Sequence, residues 1–250
     1  MSVAWLTPEW PAPPRVRALS TWRGGGVSTG KYESLNLGTH VDDEGTAVAE
    51  NRRRLAEAAR LPAEPCWLRQ MHGTEVADLD SAVPAAMSVP LSSRDASYTR
   101  TPGRICAILT ADCLPLLIVD VDGSVIGAVH AGWRGLCAGV LAATVRAMGT
   151  DPAALIAWIG PCIGPAAYEV GPEVRDALVA AMPAAAPAFR INARSRFMAD
   201  LPLIARLQLQ ALGLRAIYGG TVCTYADKSR YFSHRRDGQS GRQATLIWLE

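Results

Sequence analysis

Histidine and phenylalanine are scarce in this chain, with four of the first and three of the second among 250 residues. A cluster of several metal ions held by imidazoles would need more donors than four, so the histidine count points to a single ion at most. No run of about 18 apolar residues occurs, and no membrane span is expected. Residues 1–14 hold neither a basic segment nor an apolar stretch, so a secretory signal is not expected either. The six cysteines, at positions 66, 106, 113, 137, 162 and 223, form no Cys-x-x-Cys pair. They read as reduced thiols of a cytoplasmic protein, most of them packed as small hydrophobes. The 25 Lys and Arg exceed the 23 Asp and Glu by only two, without a long basic run. That excludes nucleic-acid binding as the expectation and leaves room for a local anion pocket.

What the chain has in plenty is core-forming sequence. Hydrophobic residues make up 49% and charged residues 19%, the balance of a folded protein. With no internal repeat or low-complexity linker, a single domain over 1–250 is expected, as a monomer or small homo-oligomer. Strands are predicted at 15–22, 66–70, 74–79, 104–110, 114–120, 124–130, 155–159, 215–218 and 243–249. The three from 104 to 130 read as neighbouring central strands. Helices are predicted at 46–60, 133–148, 172–182 and 201–212, with Pro202 suited to a first turn. Strands and helices mix without a strict βαβ rhythm, which implies an α/β (α+β) fold with mixed sheets and outer helices.

Two histidines sit beside glycine at predicted strand ends, in Gln70-Met71-His72-Gly73 and Val129-His130-Ala131-Gly132. Cys113 lies in the break Thr110-Ala111-Asp112-Cys113-Leu114-Pro115 between two apolar runs. Strand ends are common places for ligand sites. Two imidazoles and a thiolate make a three-ligand zinc site whose fourth position takes water or substrate. No His-Glu-x-x-His and no His-x-Glu with Pro-Cys-x-x-Cys pattern is present. Glu75 stands three residues after His72, where it reads as an exposed strand residue or a proton shuttle. A second, basic set comprises Arg23 before three glycines, Arg134 in Gly-Trp-Arg-Gly, and Arg235 and Arg236 after His234. Guanidinium groups beside glycine-loop amides suit phosphate; the alternative is solvation or pairing with Asp42, Asp43 or Asp237.

Several segments together carry a resemblance. They are Arg-Gly-Gly-Gly-Val-Ser at 23–28, Ser-Leu-Asn-Leu-Gly-Thr-His-Val at 34–41, Asn51-Arg52 and the His72 motif. Arg94-Asp95-Ala96, the Cys113 motif, the His130 motif through Gly135, Ile159-Gly160-Pro161-Cys162-Ile163 and the ending from Ser233 through Trp248 complete it. The chain resembles the YfiH-like family, also named multicopper polyphenol oxidase or laccase-domain proteins, to which PgeF and FAMIN are similar. The resemblance covers nearly the whole chain. It implies one domain with an α-β-β-α layered fold and zinc held by His72, Cys113 and His130. It implies phosphorolysis of adenosine, inosine, guanosine and methylthioadenosine, and deamination of adenosine. Purine nucleosides and phosphate are then the small-molecule partners, and Asn36, His40 and Arg235 are candidates for nucleoside contact. The family often carries Tyr where this chain has His234, so no catalytic role is carried over to it.

Three other readings compete. Copper oxidation of phenols fits the family label, and Met71 beside a His-His-Cys set is similar to a blue-copper arrangement. Four histidines in total weigh against a multicopper cluster. A cysteine hydrolase, or an enzyme editing cell-wall precursors, would use Cys113 with His130 as base. A purely protein-binding role would need a large exposed apolar patch.

Overall fold

The computed structural model describes residues 2–81 and 93–250. Its strands are β1 Trp5–Leu6, β2 Val16–Thr21, β3 Val76–Asp78, β4 Ala96–Thr99, β5 Ile105–Thr110, β6 Leu114–Asp120 and β7 Ile126–Ala131. They continue with β8 Leu155–Ile159, β9 Glu169–Val170, β10 Phe189–Ile191, β11 Phe197–Ala199, β12 Ala216–Gly219 and β13 Gln243–Leu249. The α-helices are α1 Gly45–Ala59, α2 Trp133–Ala138, α3 Val140–Met148, α4 Pro172–Ala181, α5 Leu201–Ala211 and α6 His234–Asp237. Pro202 sits in the first turn of α5, and the Asp200 carboxylate accepts from the Leu203 amide to cap it.

Two sheets dominate. One runs β1-β2-β13-β5, and the other runs β12-β8-β6-β7-β4-β3. The second is mixed: β12–β8 and β3–β4 pair parallel, the rest antiparallel. Strands β5, β6, β7 and β13 are buried along their whole length, and their sequences are near-continuous apolar runs because both faces are covered. The period of two then sorts the side chains into layers. Leu117 and Val119 of β6 meet Cys106 and Ile108 of β5 and Ile247 and Leu249 of β13 between the sheets. Leu116 and Ile118 point the other way, to Leu141 and Val145 of α3 and Ile204 of α5. Ile105, Ala107, Leu109, Ala244 and Leu246 pack on Leu55 of α1. The order is helix, sheet, sheet, helices, as the resemblance implied.

Three expectations change in detail. Strands β6 and β7 are neighbours, but β5 belongs to the other sheet, paired with β13. The chain crosses between sheets at Asp112, whose φ is 91°. The single helix expected over 133–148 is two helices, divided where Gly139 takes φ 90°. Residues 66–70 form no strand; one bridge joins Cys66 to Cys106, and the Gln70 amide bonds both the N–H and the C=O of Leu109. A side chain there replaces a backbone ladder. Strand β4, rich in Ser and Thr, was not predicted, yet it fills the gap between β3 and β7.

Leu117 is fully buried between the sheets. Leu117→Ala is expected to cost about 2–5 kcal/mol of stability, from lost transfer energy and the cavity left behind. Denaturant unfolding should show a lower midpoint with an unchanged m-value.

Candidate metal centre

The strand register gathers the site. Leu114 and Pro115, opening β6, face Ala131 and His130, closing β7. Val129 of β7 faces Ala96, the first residue of β4, which in turn faces Val76, the first of β3. Cys113, His130 and the 71–73 turn leading into β3 therefore meet at one edge of one sheet. The ligand atoms of His72, Cys113 and His130 lie within 4.8 Å of one another. Cys113 Sγ is 3.7 Å from His72 Nε2, and the two imidazole rings meet edge to face with centroids 4.7 Å apart. His130 is buried, Cys113 half-buried and His72 exposed, so the cluster has one open side.

Asp95 holds this geometry. Its carboxylate, fully buried, accepts from the backbone amides of Met71 at 3.0 Å, His72 at 2.8 Å and Gly73 at 2.7 Å. It also accepts from His130 Nδ1 at 2.8 Å. Those amides can point at one carboxylate because His72 adopts φ 61°. With Nδ1–H given to Asp95, the His130 ring keeps Nε2 as its ligand atom. Burial opposes the Asp95 charge, but the bonds from His130, Gly73 and Met71 win, and its carboxyl stays below its usual range.

Gly132 is the cradle. A Cβ there would lie 2.8 Å from His72 Cδ2 and 3.1 Å from Cys113 Sγ, so only glycine admits both ligands. Asp112 anchors the other side, accepting from Thr224 Oγ1, Ser233 Oγ and the Arg235 amide at 2.6–3.0 Å. Burial resists a Cys113 thiolate, yet His130 and hydrogen bonds to both imidazoles draw the thiol down to about 6. For His130, burial disfavours the cation while the Cys113 sulfur and Asp95 raise it to about 9. Both shifts share one cause, the mutual attraction of the Cys113 sulfur and the His130 ring.

Residues 17–250 match the family described as multi-copper polyphenol oxidoreductase laccase. The chain belongs to this family. Over 248 residues, 99% of each chain, it is 52% identical to a Pseudomonas aeruginosa protein named purine nucleoside phosphorylase. Over 246 residues, 98% of each chain, it is 47% identical to the Escherichia coli protein named purine nucleoside phosphorylase YfiH. A crystal structure of a Neisseria meningitidis protein superimposes with a TM-score of 0.92 at 46% identity, covering 98% of this chain and 99% of that one. YlmD from Geobacillus stearothermophilus does so with a TM-score of 0.92 at 33% identity, covering 98% and 96%. No helix among the described residues is long and apolar enough to cross a membrane, and the six cysteines are free.

The remaining residues singled out from the sequence divide into rim and scaffold. A pocket of about 150 Å³ adjoins Cys113, lined by Trp133, Ile163, Tyr168, Leu201, His234 and Arg235 among others. Arg235 lies 5.1 Å from the Tyr168 ring and donates to the Glu169 carbonyl. Arg134 is exposed and stacks on Trp133 at 4.3 Å. His234 Nδ1 donates to the Gly238 carbonyl. Arg23, by contrast, donates to the Glu33 carbonyl, covers Phe232 and faces Asp237 at 3.9 Å. Asn36 is fully buried and bonds Gly38, Asp43 and the Arg242 amide. Both hold the glycine-rich loop in shape. Glu75 is exposed, 3.9 Å from Arg94. Asp95 and Arg242 were not singled out from the sequence as site residues, although both lie within segments that carry the resemblance.

Asp95→Asn, which keeps the shape but offers one acceptor oxygen to these donors, is expected to weaken metal affinity about 10–100-fold. Competition against a chromogenic chelator measures it. In metal-stripped protein, iodoacetamide should alkylate Cys113 at pH 7, and the rate should fall as pH drops through about 6, because only the thiolate reacts. Cys66, whose thiol burial raises to about 11, should stay unmodified there.

Proposed function

We propose that the protein is a zinc-dependent purine nucleoside phosphorylase. The observation that carries this is the open-sided His72–Cys113–His130 cluster beside a pocket walled by Trp133 and Tyr168. The names of its relatives supply the reaction. The donor set of two imidazoles and a thiolate suits one zinc ion, with the His130 tautomer fixed by Asp95 and Gly132 leaving space between the ligands. His72, Cys113 and His130 would hold it, and bound zinc supplies Lewis acidity toward a substrate oxygen. Copper remains a donor-compatible substitute for a single ion.

In phosphorolysis a phosphate oxygen bonds to the anomeric carbon, the glycosidic C–N bond breaks, and the purine leaves with its electron pair and takes up a proton. The aromatic faces of Trp133 and Tyr168 suit a purine ring. Burial and the nearby Cys113 sulfur push the Tyr168 hydroxyl up to about 12, so it stays protonated and can donate to the base. Arg235 lines this pocket and Arg134 stacks on its Trp133, where they offset negative charge on the reactants. We extend the proposal to guanosine, adenosine and methylthioadenosine, and to deamination of adenosine to inosine, in which water replaces ammonia at the ring.

A second reading has a specific observation behind it. The Cys113–His130 pair, with its lowered thiol pKa, has the chemistry of a cysteine hydrolase. Metal and nucleophile compete for the same sulfur, so a chelator separates the two.

Inosine incubated with the protein should release hypoxanthine only when phosphate is present. Chelation should abolish this and zinc restore it, with elemental analysis returning one metal ion per chain. Cys113→Ser removes a ligand outright, so its kcat/KM is expected to fall roughly 100-fold or more, beyond the range of an outer hydrogen-bond change. Activity that survives complete metal removal would replace this proposal with the hydrolase.

A further inference from the structure

The geometry points to an anion site formed by Arg242 and His40 at the rim of the triad, and we propose that it holds the phosphate co-substrate. The naming of the anion rests on the phosphorolysis reading; the site itself rests on the following observations. Arg242 enters β13 from a loop whose backbone is fixed at both polar groups. Its amide donates to Asn36 Oδ1 and its carbonyl accepts from the Leu37 amide. Its stem lies on Gly38, where a Cβ would come within 2.8 Å of Arg242 Cγ and 3.4 Å of His40 Cε1. The glycine thus brings the guanidinium stem and the imidazole side by side.

The hydrogen bonding of Arg242 is incomplete. Nη1 donates to the carbonyls of Ser240 and Gly241, at 2.8 and 3.1 Å. Among the described residues Nε and Nη2 have no acceptor, and no carboxylate forms an ion pair with this side chain. Two other half-buried arginines, Arg52 and Arg236, behave differently. Arg52 gives Nε and Nη2 to the Leu37 carbonyl, and Arg236 pairs with Asp237. A partly buried guanidinium whose Nε and Nη2 edge is unused presents the fork that matches a phosphate oxygen pair.

The charges that act on this fork include groups of the metal centre. Arg242 is influenced by the Cys113 sulfur and the Asp112 carboxylate, and Asp112 is already engaged by Thr224, Ser233 and the Arg235 amide. His40 is exposed, its ring has no hydrogen-bond partner among the described residues, and it is influenced by Arg242 and His130. Partial burial and the adjacent Arg242 keep its pKa below the usual value. Its ring N–H can donate to an anion beside the guanidinium.

Arg242→Met keeps the apolar stem on Gly38 and removes the fork. With inosine saturating, its phosphate KM is expected to rise tenfold or more, while the inosine KM stays within twofold and zinc content is unchanged. Arg242→Lys should recover part of the loss, and His40→Asn, a surface change, should raise the phosphate KM by several-fold. Calorimetric titration of the zinc-loaded protein with inorganic phosphate tests the site apart from turnover. Binding that weakens at least tenfold in Arg242→Met upholds the site even if no phosphorolysis occurs, and absent phosphorolysis then counts only against the reaction assigned. An unchanged phosphate KM and affinity in both Arg242→Met and His40→Asn, or loss confined to Arg134→Met, would overturn it. If Arg242→Met does not fold, His40→Asn decides by the same two measurements.

Discussion

Four hydrogen bonds converge on the buried Asp95 carboxylate, from three consecutive amides of the 71–73 turn and from the His130 ring. This one group fixes the left-handed conformation of His72, orients His130 and joins the turn before β3 to the end of β7. Its charge is tolerated without an arginine because the donors are numerous and well aimed. Without it, buried amides would lose their acceptor and the two imidazoles would lose their common reference. Asp112 does comparable work on the far side, tying the Cys113 turn to Thr224, Ser233 and Arg235 near the chain end.

The two-sheet architecture explains why such a site sits where it does. Strands buried on both faces leave polar chemistry nowhere to go except their ends. The chain passes from one sheet to the other between β5 and β6, and that crossing delivers Cys113 to the edge where β7 ends. Around it the surface divides. Trp133, Tyr168 and Arg235 line a pocket beside Cys113, and in the proposed anion site His40 with Arg242 forms a second wall. The glycine-rich loop from Arg23 onward supports the second wall through Asn51, which bonds Val27, Ser28, Ser34 and Asn36.

Much of this was readable in the residues. The apolar runs at 105–110, 114–120 and 126–131 are strands because their continuous hydrophobicity marks two-faced burial. The triad was visible as two histidines near glycine at strand ends and a cysteine in the break between two apolar runs. What misled was local pattern without pairing information. Residues 66–70 read as a strand, yet a glutamine side chain makes the key bonds to the facing backbone. Arg23 and Asn36 sit in an arresting motif, but their polar atoms are consumed in shaping a loop. Asp95 gave no signal beyond its presence in a motif, since a carboxylate accepting backbone amides has no spacing rule.

By itself the sequence determined a mixed-sheet fold with outer helices, because the periods of apolar residues dictate which faces must be covered, and the layered order came with the family resemblance. It also determined the donor atoms, because only histidine and cysteine in that company make such a centre. Tertiary structure alone decided which sheet each strand joined and that Arg242 kept its Nε and Nη2 edge unused among the described residues. Those outcomes depend on register and on competition among hydrogen-bond partners far apart in the chain, and neither is written in any local pattern.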